Sequence, residues 1–210
     1  RPFLLDRQPL ALHARVRYTL AIDLKRIPHA SDPPMAPILT DNAFDIITHS
    51  PEQTARLGEL LGRRLQAGDL VCLQGDLGSG KTCFTQGIGI GLDVRGSISS
   101  PTFVLVNEVP PSDDGPYLYH IDLYRILDVY DALSLGLEEY VHGDGVVVIE
   151  WAERVRDYLP AARLWITLTY LDENKRCLLF QASGPRYIAL LDDLRTALYG
   201  HRGPGSGEAV

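Results

Sequence analysis

The run Gly75-Asp76-Leu77-Gly78-Ser79-Gly80-Lys81-Thr82 stands one residue beyond the apolar segment Leu70-Val71-Cys72-Leu73 and opens a helical pattern over about residues 81–92. It fits G-x-x-x-x-G-K-[ST] at every position. Glycines at these places let the backbone curl so that successive N–H groups converge on one concavity, and the following helix adds its positive dipole end. Lys81 is expected to reach the β- and γ-phosphates of a nucleotide, and the Thr82 hydroxyl to ligate Mg²⁺. At about 7% glycine, a chance match in a chain of this length is on the order of one in a hundred. The strand before and the helix after remove most of that chance. The expected phosphate-binding set is therefore Gly75, Asp76, Leu77, Gly78, Ser79, Gly80, Lys81 and Thr82, and the expected cofactors are ATP and Mg²⁺. The expected fold is α/β, a three-layer P-loop NTPase-like arrangement.

Around this loop strands and helices alternate. Phe44–Thr48 predicts a strand. Ser50, Pro51 and Gln53 supply an N-cap, a proline at the first helical position and a capping-box partner. Leu57, Leu60, Leu61 and Leu65 recur at helical spacing, with Gly68 as the expected stop. Strands follow at Thr102–Val109, Tyr117–Leu123 and Gly145–Glu150, a late pair at Leu164–Tyr170 and Arg176–Ala182, and a closing helix over 186–199. The link from Val109 to Pro116 is shorter than the dozen or so residues a parallel crossover requires, so the strands it joins predict an antiparallel hairpin and a mixed sheet. Residues 1–34, which end in Ser31-Asp32-Pro33-Pro34 before the single methionine Met35, are expected to form a poorly ordered extension. The domain proper is expected over 35–199, and the Gly-rich 200–210 as a flexible tail.

A P-loop needs an acidic partner for its metal. Val146-Val147-Val148-Ile149-Glu150 is an apolar strand that ends in one, on the side where α/β sheets bind ligands. Trp151 beside it either packs on the nucleotide pocket or is a half-buried core residue. In His120-Ile121-Asp122-Leu123-Tyr124, alternation sends His120, Asp122 and Tyr124 to one face. Asp122 is the candidate to orient or deprotonate an attacking water, while His120 reads as a structural hydrogen-bonding residue. Ser99-Ser100-Pro101-Thr102-Phe103 is either a γ-phosphate-sensing switch segment or an ordinary turn.

Of 20 basic and 27 acidic residues, six and three lie in 1–34, so the remainder holds 14 and 24, a net −10. A domain this acidic is ill suited to grip nucleic acid by neutralising phosphates. Three scattered cysteines have neither metal-site nor disulfide spacing and point to a reducing cytoplasm. No apolar run of about 18 residues occurs, so no membrane span is expected.

Taken together, GDLGSGKT at 75–82, SPTFVLVNEV at 100–109, YHIDLYR at 119–125, LGLEEY at 135–140 and VVVIEW at 146–151 resemble the TsaE (YjeE) family in order and spacing. The resemblance covers about residues 44–170. It implies a mixed sheet and an ATPase that supports threonylcarbamoylation of adenosine in the tRNA anticodon loop. It also implies TsaD and TsaB as partners, which would hold the tRNA, and weak hydrolysis in isolation. By position it implies Thr82 and Glu150 at the Mg²⁺, Asp122 in hydrolysis, Ser100 and Thr102 in the switch-like loop, and Glu52 and Thr54 approaching the nucleotide. Cys83 stands where the family commonly has Thr or Ser, which removes a hydroxyl from the α-phosphate and predicts modestly weaker nucleotide binding. Ala152 replaces a frequent proline. Two other readings stay open, a P-loop kinase for a small metabolite and a guanine-nucleotide switch or scaffold. Asn174-Lys175-Arg176-Cys177 lacks the aspartate of a guanine-selective segment. Self-association is left open.

Overall fold

The structure, a computed structural model, describes residues 39–96, 98, 106–126, 129–134 and 136–200, all within one compact unit. The expected extension 1–34, residues 201–210 and the candidate residues Ser100 and Thr102 lie outside the described residues. Eight strands form one sheet: β1 (Leu39–Thr40), β2 (Ala43–Thr48), β3 (Leu70–Gln74), β4 (Val106–Val109), β5 (Leu118–Asp122), β6 (Val146–Glu150), β7 (Arg163–Tyr170) and β8 (Arg176–Ser183). Their order is β1-β2-β8-β7-β3-β6-β5-β4. The helices are α1 (Pro51–Gly62), α2 (Lys81–Gly91), α3 (Val129–Ser134), α4 (Leu137–Val141) and α5 (Pro185–Tyr199), with a 3₁₀ helix over Ala152–Tyr158.

The sheet is mixed for the reason that loop length gave. β4 and β5 pair antiparallel, as do β7 with β8 and β2 with β8, whereas β3 runs parallel to both β6 and β7, and β6 parallel to β5. The central strands β3 and β6 are covered on both faces, which is why they read as apolar runs. Val71 and Leu73 face one core with Val146, Val148, Leu164 and Ile166, under α1, α2 and α5. Leu70, Cys72, Val147, Ile149 and Trp165 face a second core, which also takes in residues of α4 and the 3₁₀ helix. The architecture is thus helix, sheet, helix, as the sequence predicts.

α1 begins as expected: the N–H of Gln53 donates to Ser50 Oγ at 3.2 Å, and the Gln53 side chain reaches back to accept from the N–H of His49 at 2.8 Å. Its end differs from expectation. The helix stops at Gly62, capped at Arg63, and Gly68 (φ +85°) instead serves the turn into β3, where its N–H donates to Gly145 O at 2.9 Å. The turn is closed by Asp69, whose carboxylate accepts from the N–H of Gln66 at 2.9 Å, so residues 63–68 are spent on reversing the chain. Leu65 still enters the core, but from this turn and not from the helix. Sequence reading also missed β1, α3, α4 and the 3₁₀ helix, all short.

α1 and α2 lie almost backbone to backbone. A Cβ on Gly58 would come 2.3 Å from Phe84 O, one on Gly62 2.3 Å from Ile88 O, and one on Gly87 1.9 Å from Ala55 O. Small residues at a helix contact permit this spacing, and the obstacles are carbonyls that no rotamer change can move. Gly87→Ala gains about 1 kcal/mol of helix propensity but must push the helices apart, at about 1–3 kcal/mol or more. It is expected to lower stability by about 1–2 kcal/mol net, read from the urea midpoint at unchanged m value.

Candidate functional site

β3 delivers the chain to the loop at the same height at which β6 ends: Leu73 is the register partner of Glu150, and Glu150 that of Asp122. The glycines take the conformations such a curl needs. Gly78 and Gly80 have φ +78° and +100°, and a Cβ on Gly75 (φ +148°) would strike Leu168 O at 2.3 Å. Gly80 is the N-cap of α2, so the free N–H groups of that helix open onto the concavity of the loop. Ser79 is fully buried in the loop, and its Oγ has no hydrogen-bond partner among the described residues.

A cavity of about 240 Å³ is lined by Leu77, Gly78, Gly80, Lys81, Thr82, Cys83, Asp122, Tyr124, Glu150 and Trp151. The structure thereby brings together the glycine loop, both expected carboxylates and the tryptophan. Lys81 is 4% exposed, and its ammonium donates to Gly75 O at 2.6 Å and Asp76 O at 2.9 Å. It also sits 4.0 Å from the ring centroid of Trp151. Burial pulls the Lys81 ammonium below its ordinary pKa, opposed by the negative charges of Glu150, Glu153, Asp122 and Asp76. Trp151 takes a left-handed backbone (φ +60°), which turns the chain sharply off β6 into the 3₁₀ helix. Such a conformation costs a bulky residue about 1–2 kcal/mol. Its indole covers Lys81 and meets Tyr124 at 5.1 Å, and the residue is half-buried at the cavity wall.

Thr82 Oγ1 donates to Glu150 Oε2 at 3.0 Å. Two hard oxygen donors at that separation suit adjacent corners of a Mg²⁺ octahedron, whose bonds of about 2.0–2.1 Å set neighbouring ligands roughly 2.9 Å apart. Asp122 is 6% exposed, and its Oδ1 accepts from the N–H of Tyr124 at 2.9 Å, which orients the carboxyl at the cavity wall.

Four further residues belong to this neighbourhood. His120 Nε2 lies 2.9 Å from Glu150 Oε1, and Thr85 Oγ1 lies 3.3 Å from the same oxygen. Thr85 carried no sequence signal beyond its place one turn after Lys81, whereas the alternation in β5 already put His120 on the face of Asp122. Burial raises the pKa of Glu153, on the first turn after Trp151, against the pull of Lys81. Arg176, from the start of β8, donates to Gly78 O at 3.3 Å and stacks on Tyr170 at 4.5 Å, bracing the loop from the side away from Glu150.

The residues at the start of α1 are placed differently. Glu52 is exposed and does not line the cavity. Thr54 is buried, its hydroxyl shared with Thr48 at 2.8 Å and Ser50 O at 3.2 Å, and only its methyl group approaches Gly80. Cys83 lines the cavity with its thiol turned to Pro51 O at 3.2 Å.

A glycine loop between a parallel strand and a helix, with a buried lysine and a strand-end carboxylate bonded to the loop threonine, defines a nucleotide-binding protein of the P-loop ATPase type. The profile of the family described as "Threonylcarbamoyl adenosine biosynthesis protein TsaE" matches residues 48–178. The chain belongs to the TsaE family. It is 40% identical over 148 residues to the tRNA threonylcarbamoyladenosine biosynthesis protein TsaE of Bacillus subtilis, covering 70% of this chain and 90% of the relative. It is 45% identical over 140 residues to that of a Nostoc species, covering 65% and 84%. The crystal structure of Bacillus subtilis YdiB superposes with a TM-score of 0.63 at 35% identity, covering 74% of this chain and 95% of the other. Among the described residues no helix is long and apolar enough to cross a membrane.

The cysteines give a direct probe of this geometry. Cys72 is fully buried in β3, and burial pushes its thiol up to about 12. Cys83 and Cys177 are half-buried. A maleimide at pH 8 is expected to label Cys83 and Cys177 in the folded protein and Cys72 only in denaturant. Nucleotide in the cavity should slow labelling of Cys83 at least several-fold and leave Cys177 unchanged, as read by peptide mass spectrometry.

Proposed function

We propose that this chain binds ATP with Mg²⁺ and hydrolyses it in support of the threonylcarbamoylation of adenosine in tRNA, resetting a modifying complex of the TsaD and TsaB type. The carrying observation is the 3.0 Å contact between Thr82 Oγ1 and Glu150 Oε2 in a cavity that Asp122 also lines. A donor pair of this kind fits Mg²⁺, which keeps several waters and takes one or two protein oxygens together with phosphate oxygens. The unpartnered Ser79 Oγ and the N–H groups at the start of α2 fit the phosphates.

In this reading the loop backbone and Lys81 hold the β- and γ-phosphates, Lys81 exchanging its bonds to Gly75 O and Asp76 O for phosphate oxygens. Thr82 and Glu150 would hold the metal, which would supply neutralisation of the phosphate charge. Asp122, fixed by the N–H of Tyr124, orients the attacking water and accepts its proton. Glu150 and Asp122 would repel a bare polyphosphate, so the metal is needed for the nucleotide to enter productively. Trp151, stacked on Lys81, excludes water from the ammonium and strengthens its hold on phosphate.

The test is reconstituted threonylcarbamoyl transfer with TsaD and TsaB proteins, tRNA, the activated threonylcarbamoyl donor and ATP. Sustained turnover is expected only with this chain present. Lys81→Ala and Glu150→Ala should each lower stimulated ATP hydrolysis by about 100-fold or more, the scale of losing a charge-stabilising group in a dry site. Hydrolysis without any stimulation of transfer would overturn the proposed role while leaving the nucleotide site standing.

A further inference from the structure

We infer that His120 is a positioning residue, whose function is to pin one oxygen of Glu150 so that the other is presented to Thr82 and the metal. This rests on the proposed metal role of Glu150.

Glu150 is 2% exposed, and its two oxygens have different surroundings. Oε2 accepts from Thr82. Oε1 lies 2.9 Å from His120 Nε2 and 3.3 Å from Thr85 Oγ1. Thr85 has a single hydroxyl proton, and the carbonyl oxygen of Lys81, at 3.0 Å, competes for it as the nearer acceptor. The imidazole is therefore the only donor to Oε1 that the described residues do not share with another acceptor.

The histidine is equally committed. It is fully buried, and its Nδ1 has no hydrogen-bond partner among the described residues. A proton on Nδ1 would be an orphaned buried donor, whereas a proton on Nε2 is donated to a carboxylate, so geometry selects the Nε2–H tautomer. Among the described residues the ring makes one polar contact, and that contact is Glu150. A histidine kept for stability alone would more usually tie down backbone. This one sits two residues below Asp122 on the same face of β5, in register with Val148, and the Glu150 side chain folds back towards it.

A carboxylate left with Thr82 and the shared, longer contact to Thr85 is held less firmly, and a metal ligand that must first be oriented binds more weakly. Outer-shell partners of this kind typically contribute about 10–100-fold in metal affinity.

The experiment is titration of the full chain with a fluorescent ADP analogue, in EDTA and across a Mg²⁺ series, with Mn²⁺ binding followed by electron paramagnetic resonance. His120→Leu keeps bulk and loses the donor. It is expected to raise the Mg²⁺ concentration needed for tight nucleotide binding by about 10–100-fold, while affinity in EDTA changes less than about threefold. His120→Gln, whose amide nitrogen reaches the Nε2 position, should recover most of the loss, and His120→Asn, whose amide stops short, should not. If His120→Leu fails to fold, the contrast between the Gln and Asn variants decides. An unaltered Mg²⁺ requirement in the Leu variant, an equal loss with and without metal, or no difference between Gln and Asn overturns the inference. Glu150→Ala run alongside separates the two levels. If it leaves the Mg²⁺ dependence unchanged, the metal reading itself fails. If it abolishes that dependence while the His120 variants do not alter it, only the positioning role fails.

Discussion

The parallel pairing of β3 with β6 is the constraint on which the site depends. Because Leu73 is matched to Glu150, the strand that launches the glycine loop ends level with the strand that supplies the carboxylate. The pairing of β5 with β6 then brings Asp122 to the same level. A slip of one residue in either ladder would carry the acid to the opposite face of the sheet, away from the Thr82 and His120 contacts of Glu150 and the Tyr124 N–H contact of Asp122. Apolar packing on both faces, far from any polar chemistry, thus sets the heights of the polar groups.

Against that frame stands a concentration of buried charge. Lys81, Asp122 and Glu150 are each less than a tenth exposed. Burying them is costly unless each is paired or hydrogen-bonded. The protein meets the cost locally: Lys81 bonds to the loop's own carbonyls and to the face of Trp151, Glu150 to Thr82 and His120, and Asp122 to backbone. Several of these partners are ones that phosphates or a metal would replace. In the proposed function the site is preorganised, because the groups would already point where the ligand needs them and hold substitutes meanwhile.

The glycine contacts between α1 and α2 serve the same end from behind. Close approach of the helix backbones fixes α2 along its length, and its first residues are Lys81 and Thr82. The loop is flanked on its other side by Arg176 and Tyr170, on strands that continue the sheet beyond β3. Few of the loop's neighbours are near it in sequence.

The sequence by itself determined the loop, the strand before it, the helix after it and the hairpin. Each is governed by local rules: glycine conformations, apolar runs and the minimum length of a crossover. It also carried Glu150 and Asp122, since a carboxylate ending an apolar strand is visible in one dimension. Family resemblance brought Glu52 and Thr54 towards the nucleotide, but the fold leaves Glu52 in solvent and commits the Thr54 hydroxyl to Thr48. Where α1 ends was not legible, because Leu65 keeps helical spacing while the turn at Gln66 and Asp69 claims the backbone. The role of His120 was not legible either. Its partner lies thirty residues away, and only strand register and burial give an ordinary histidine one hydrogen-bond partner among the described residues.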